Sequence, residues 1–318
     1  MLTSRALPWI LPAYMTVAAA AAASDQSLQG RPIRVITSEA GGGGDFVARV
    51  VAHELTRNLG QQVVVDNRGI LAGEIVAKAA PDGHTLLLYG SNIWISPLLR
   101  KTAWDPLKDF SAITLVNTAP NILVVNPALS VNSVRELIAL AKARPGALNY
   151  ASSGIGSSTH LAGELFRALA GVDIVRINYK GVGAALTDLI AGQVQLIFGS
   201  AAAVAPHIKS GKLKALAVTT AQPSAVAPGL PTIAGAGVPG YESGVNVGMF
   251  APAHTPAALV RRLNQETLRV LRTAEVKDKF LSAGVEAAGT TPEHFGTLVK
   301  TEMARLGKVV RDAGIRVE

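Results

Sequence analysis

The sequence predicts an α/β fold with largely parallel sheets, divided between two lobes. Short β-branched runs alternate with amphipathic helices along most of the chain, the pattern of strands joined by helical crossovers. Three of the strand-to-helix turns are rich in glycine, and 318 residues are more than a single core usually organises.

The elements follow in chain order. Residues 1–23 read as a signal peptide: Arg5 is the only charge before Asp25, an apolar stretch runs from Leu7 to Ala23, and Ala21, Ala22 and Ala23 supply the small residues of a cleavage site. The expected destination is the periplasm. The first strand, 33–37, leads through Gly41, Gly42, Gly43 and Gly44 into a helix at 45–59, which places Phe46, Val47, Val50, Val51 and Leu55 on one face and stops at Gly60. A strand at 62–65, a helix at 73–80 and a strand at 86–89 come next. The middle of the chain reads as strand 122–126, helix 133–143, strand 148–152, helix 158–170, strand 175–178, helix 183–191, and strands 194–198 and 213–219. Helices at 256–274 and 292–313 close it. A boundary is expected between Thr114 and Asn121, and the proline- and glycine-rich segment 222–248 reads as a crossover between lobes. Lobe 1 is therefore expected at residues 24–118 plus 228–318, and lobe 2 at 119–227.

Composition removes several function classes. The chain has no cysteine, so disulfides, thiolate metal sites and thiol nucleophiles are absent together. The formal net charge of +8 is spread over scattered lysines and arginines with no recognition motif, which argues against nucleic acid while favouring small anions near the surface. Aromatic residues make up 5%, too few for a cleft that reads sugar rings by stacking. Enzyme motifs begin and then fail. A dinucleotide fingerprint started at Gly41 ends on Phe46, and one started at Gly154 ends on Thr159. The stretch from His53 puts Arg57 where a zinc protease helix needs its second histidine. No nucleophile elbow is present. Neither a cofactor nor a metal is expected.

What remains is a set of glycine-rich turns at helix N-termini. Such a turn leaves the first N–H groups of its helix unpaired at the positive end of the helix dipole, and glycine lets an anion approach them closely. In "NYASSGIGSSTHLAGEL" the turn is built from Gly154 and Gly156, with Ser152, Ser153, Ser157, Ser158 and Thr159 as hydroxyl donors and Leu161, Leu165 and Leu169 on the apolar face of the helix. The third turn, "NYKGVGAALTDLIAG", presents Tyr179, Lys180, Gly181 and Gly183. A carboxylate or phosphate held between such turns accounts for them, as does ordinary chain reversal in any one taken alone. Asp45 reads as a helix-start residue that steadies its turn. His160 reads more readily as an intrahelical partner of Glu164 than as a ligand contact. Lys180 serves equally as a neutralising charge or as an exposed lysine, and Trp94 and Trp104 read as packing residues.

Eight ordered blocks, among them "GGGGDFVARVVAHEL", "QQVVVDNR", "EIVAKAAPDGHTLLL", "NYASSGIGSSTHLAGELF" and "INYKGVGAALTDLIAGQVQLIF", resemble the Bug family of periplasmic solute receptors, the TctC-like binding proteins of tripartite tricarboxylate transporters. The resemblance implies a two-lobed type II periplasmic binding fold, a Venus flytrap with mixed, largely parallel sheets that binds a small organic carboxylate in its cleft as a monomer. It also implies membrane permease subunits, or a sensor ectodomain, as partners. By the same resemblance the binding loops fall on Gly41 to Asp45, on Ser152 to His160 and on Tyr179 to Gly183. The sequence departs from the family pattern at three places: Ser38-Glu39-Ala40 precedes the first glycines, the loop after Arg68 is shortened, and Gly199 stands where many members carry aspartate. The competing class is a secreted hydrolase pairing His160 with one of the serines at 152, 153, 157 or 158.

Overall fold

In a computed structural model, the chain is described over residues 30–41 and 43–315; the signal peptide expected at 1–23 and Gly42 of the first turn lie outside those residues. Two mixed sheets organise it. The first has the order β11-β4-β10-β3-β1-β2, built from β1 (Ile33–Thr37), β2 (Val63–Asn67), β3 (Thr85–Gly90), β4 (Phe110–Ala119), β10 (Val245–Pro252) and β11 (Glu286–Ala287). The second has the order β7-β6-β8-β5-β9, from β5 (Asn121–Val125), β6 (Leu148–Ser152), β7 (Ile174–Asn178), β8 (Leu196–Ser200) and β9 (Lys214–Val218).

Each sheet has a parallel core of three strands, β2-β1-β3 and β7-β6-β8, generated by strand–helix–strand crossovers. Onto each core the chain adds strands that run the other way. β10 pairs antiparallel with β3 and β4, and β5 pairs antiparallel with β8 and β9. These additions come from the crossings between lobes. Only Pro120 separates β4 in the first sheet from β5 in the second. The return runs from β9 to β10, and the two crossings are stitched together where the Asn121 N–H donates to Thr219 Oγ1 at 2.9 Å and the Ser243 N–H donates to the Thr219 carbonyl at 2.8 Å.

Alternation along the strands gives each sheet two buried faces. Ile33 and Val35 join the cluster that contains Val47, Val51 and Leu55 of helix α1 (Gly43–Leu59), whereas Ile36, next after Val35, joins a cluster around Trp94, Phe250 and Phe295. In the second sheet Leu123 and Val125 pack with Phe166 and Tyr150, and Ile122 and Val124 pack on the opposite face with Leu186 and Val204. The C-terminal helix α10 (Pro292–Asp312) spans both lobes: its Leu306 packs in the cluster that holds Leu161, and its Val309 in the second-lobe core.

The structure adds elements that the residue pattern does not announce. β10 begins in the last residues of the stretch expected as a crossover and runs on past it, and Gly248 interrupts its apolar run; that glycine is required by close approach, since a Cβ there would sit 2.1 Å from Phe295 Cζ. β4 and β11 complete the sheet edge. Three further helices, Asn92–Leu99, Ala201–Lys209 and Ala274–Ser282, fall where Pro97, Pro206 and a short polar pattern obscure the periodicity. The expected return to lobe 1 at residue 228 comes too early. Ile233, Val238 and Tyr241 are buried in the second-lobe core, which keeps the segment there through Tyr241.

Candidate functional site

The best-defined turn precedes helix α5 (Ser158–Ala170). Gly154 and Gly156 adopt φ of +150° and +73°, conformations that exclude ordinary side chains, and so bend the chain between β6 and the helix. Side chains then fix the bend. Ser157 caps the helix, its Oγ accepting the His160 N–H at 3.3 Å while donating to the Gly154 carbonyl at 2.7 Å. Thr159 Oγ1 accepts the Ser153 N–H at 2.8 Å and lies 2.9 Å from Ser157 Oγ and 3.1 Å from Ser153 Oγ. The N–H groups of Ser158 and Thr159, in the first turn, have no carbonyl partner within the helix.

Behind this turn His160 is buried, and its Nδ1 accepts the Gly156 N–H at 3.0 Å. Arg176 Nη1 stands 3.1 Å from Nε2 and 3.3 Å from Nδ1. Burial first, and then the charges of Arg176 and Arg167, push its pKa down to about 4, so the ring is neutral at ordinary pH. The intrahelical partner expected for it, Glu164, is in place with Oε1 3.9 Å from Nε2, but the neutral ring makes this a contact and not a charge pair, and the carboxylate is engaged by Tyr150 Oη at 2.6 Å and Arg167 Nη1 at 2.8 Å. No serine hydroxyl at 152, 153, 157 or 158 bonds either ring nitrogen, so a serine–histidine nucleophile is not assembled.

The turn faces a cavity of about 510 Å³ between the lobes. One wall is residues 153–158 with Leu161. The opposite wall is helix α3 (Asn92–Leu99) with its flanking Ser91 and Arg100, and the floor is residues 242–245 with Glu302, Arg305 and Leu306 of α10. Arg305 is paired with Glu242 at 3.5 Å. Glu302 is buried and accepts the Trp94 Nε1–H at 2.9 Å; burial raises its carboxyl above the usual range, against the pull of that hydrogen bond and of Arg305. A smaller cavity of about 230 Å³, lined by Glu39, Ile70, Tyr89 and Trp104, adjoins the first at Asn92, Ser96 and Arg100.

Of the residues singled out in the sequence, Ser153, Gly154, Gly156, Ser157 and Ser158 line the large cavity, while Ser152, Thr159 and His160 are buried behind it. The first glycine turn stands at the C-terminal end of β1. That is the same sheet edge as Ser91 after the parallel neighbour β3, yet Gly41, Gly43 and Gly44 do not line the cavity. Asp45 closes that turn as a helix-start residue, accepting from the Gly41 N–H, Asn67 Nδ2 and Arg49 Nε, each at 2.9 Å; these bonds, led by Gly41, hold its pKa down to about 2. The third turn likewise shares an edge with Ser153 without lining the cavity. The Tyr179 N–H donates to the Ser152 carbonyl at 2.8 Å, its hydroxyl donates to Asp188 at 2.9 Å, Lys180 is exposed, and Gly181 caps the helix Val182–Ile190, which contains Gly183. Position 199 points away from the cleft: a Cβ there would lie 2.5 Å from Val204 Cγ1. Trp94 and Trp104 pack as expected, Trp104 donating to the Ile93 carbonyl at 2.8 Å. Residue types alone miss the α3 wall and the Glu242, Glu302 and Arg305 floor. The signal for the wall was the spacing of Asn92, Ser96 and Arg100, four residues apart.

Comparison with known proteins places this geometry among relatives. The profile of a family described as tripartite tricarboxylate transporter family receptor matches residues 47–315. Protein BugT of Bordetella pertussis is 35% identical over 311 residues, covering 95% of each chain. An R. palustris protein solved with adipate is 36% identical and superposes with a TM-score of 0.72, covering 91% of this chain and 99% of its own. MatC from Rhodopseudomonas palustris, with bound malate, is 30% identical with a TM-score of 0.68, covering 89% of this chain and 100% of its own.

Proposed function

Because this chain belongs to the tripartite tricarboxylate transporter receptor family, we propose that it is a periplasmic solute receptor that captures a small organic carboxylate between its lobes and hands it to membrane permease subunits. The observation that carries this reading is the open N-terminus of α5 in the wall of the interlobe cavity. Two glycines and a network of hydroxyls hold its unpaired N–H groups toward space large enough for a small acid. The carboxylates held by two of its relatives, adipate and malate, are of the same chemistry.

The same residues support a reading of capture without catalysis. His160, the base of the hydrolase reading, is buried and its Nδ1 accepts the Gly156 N–H, while the Ser157 hydroxyl is engaged by the Gly154 carbonyl and Thr159 Oγ1, that of Ser153 by Thr159 Oγ1 and that of Ser152 by Asn178 Oδ1. The periplasmic address rests on the signal-like residues 1–23. A sensor ectodomain is the other partner of this chemistry, and pull-down with permease or sensor ectodomains separates the two.

The test of the receptor reading is thermal-shift screening of carboxylates against the purified chain, with small-angle scattering at saturation. A binding carboxylate is expected to raise the melting temperature, by about 2.7 kcal/mol of stabilisation at one hundred times its Kd, and to shrink the radius of gyration as the lobes close. A protein that no carboxylate stabilises, or that turns over an ester in a His160-dependent way, overturns it.

A further inference from the structure

We propose that Asn92, Ser96 and Arg100 form a second anion subsite on the first lobe, and that Arg100 sets a preference for dianionic over monoanionic ligands. Residues four apart stand in one row on a helix, so these three make a polar stripe along α3 and onto its C-terminal cap, while Ile93, Trp94 and Ile95 beside them are buried in the core. All three line the large cavity across from residues 153–158, and all three also line the smaller cavity, so the stripe occupies the neck between the two.

The stripe is uncommitted. Among the described residues, no hydrogen bond or ion pair engages the side chains of Asn92, Ser96 or Arg100. The other arginine of the cavity differs in this respect: Arg305 has Glu242 at 3.5 Å and Glu302 one turn before it on α10. Arg100 is therefore an exposed positive charge without an ion-pair partner among the described residues, sharing the smaller cavity with Glu39, on the wall of the large cavity that faces the helix N-terminus receiving the first carboxylate. A guanidinium with a hydroxyl and an amide in one row matches the oxygens of a second carboxylate, which it takes in charge-assisted bonds. A ligand with a carboxylate at each end spans the two walls and draws the lobes together; a monocarboxylate engages only the α5 side. This inference rests on the receptor reading above. The placement of Arg100 at the C-terminal end of α3 also suits the helix dipole, and that role alone would affect stability and not ligand ranking.

The experiment compares matched pairs by calorimetry: succinate with butanoate, glutarate with pentanoate, adipate with hexanoate. The wild type is expected to bind at least one diacid about tenfold or more tightly than its monoacid. Arg100→Gln should erase that ratio by weakening the diacid, with the monoacid affinity and the ligand-free melting temperature unchanged, and Arg100→Lys should keep most of it. An unchanged ratio in Arg100→Gln, with carboxylates still bound, overturns the subsite and leaves the receptor reading standing. Absence of binding by any carboxylate to the wild type overturns both.

Discussion

His160 Nδ1 accepts the backbone N–H of Gly156 at 3.0 Å, so a buried neutral imidazole holds the turn that presents the anion-binding end of α5. The bond runs from the first turn of the helix back into the loop before it. It needs a ring nitrogen without a proton, and burial with the nearby Arg176 and Arg167 charges keeps it so by bringing the pKa down to about 4.

That depression has a sign. Above the unfolded value near 6.5 the ring is neutral in both states and costs nothing. As pH falls from about 6.5 toward 4 the unfolded chain takes up a proton that the native chain refuses, and stability is lost across that window. Thermal melts are expected to fall more steeply there for the wild type than for His160→Asn, whose amide oxygen still accepts the Gly156 N–H but does not titrate. Parallel pH profiles would mean that the ring already binds a proton in the native state.

The glycine turns should respond unequally to substitution. Gly156→Val puts a β-branched side chain at φ +73° in the cavity wall and is expected to abolish carboxylate binding, whereas Gly43→Ala meets no atom within 4 Å and should bind as wild type. Ser157→Ala removes the cap of α5 and should cost about 1 kcal/mol in urea unfolding. Calorimetry on the two glycine variants decides which turn contacts ligand, and equal losses would put both in the site.

Gly199→Asp is expected to damage the fold and leave ligand choice alone. Its Cβ would press on Val204 Cγ1 in a core of apolar residues, and its carboxylate would find no cation there. A buried unpaired charge belongs to the class of substitutions that cost ~3 kcal/mol or more. Chemical denaturation should register the loss, and the order of mono-, di- and tricarboxylates should stay as in the wild type. A reordered ranking in a variant of normal stability would bring position 199 back to the cleft.

The parts of the fold that the residues announced are those governed by local pattern. The parallel cores were legible because Ile33–Thr37 and Leu148–Ser152 are compact runs followed by a glycine turn and an amphipathic helix. Of the antiparallel strands, β5 and β9 were legible as well but β10 was not, since it is defined by pairing with β3 and β4 across long sequence distances, and its Gly248 answers to Phe295 and not to strand propensity. The site divides the same way. The Ser153–Ser158 side is written in glycine and serine, while the α3 wall hides in "NIWISPLLR", where Pro97 and the apolar residues around it mask the row formed by Asn92, Ser96 and Arg100.

Glu302 gives the cavity a pH dependence opposite to that of His160. Burial raises its carboxyl pKa, and it lies in the floor with Arg305 and Glu242 as its charged neighbours. The neutral form is the one favoured by burial, so its contribution to stability is present at low pH and is lost as pH rises from the ordinary carboxyl value through the raised one. An anionic ligand sharpens the effect, because a carboxylate entering beside ionised Glu302 meets like charge while one entering beside the acid form does not. Affinity for a carboxylate should therefore weaken as pH climbs through this range. Glu302→Gln keeps an oxygen to accept the Trp94 Nε1–H but has no proton to lose, and is expected to bind as tightly at high pH as the wild type does at low pH. Calorimetry from the ordinary carboxyl range upward tests this: a slope in the wild type that persists unchanged in Glu302→Gln would assign it to another group.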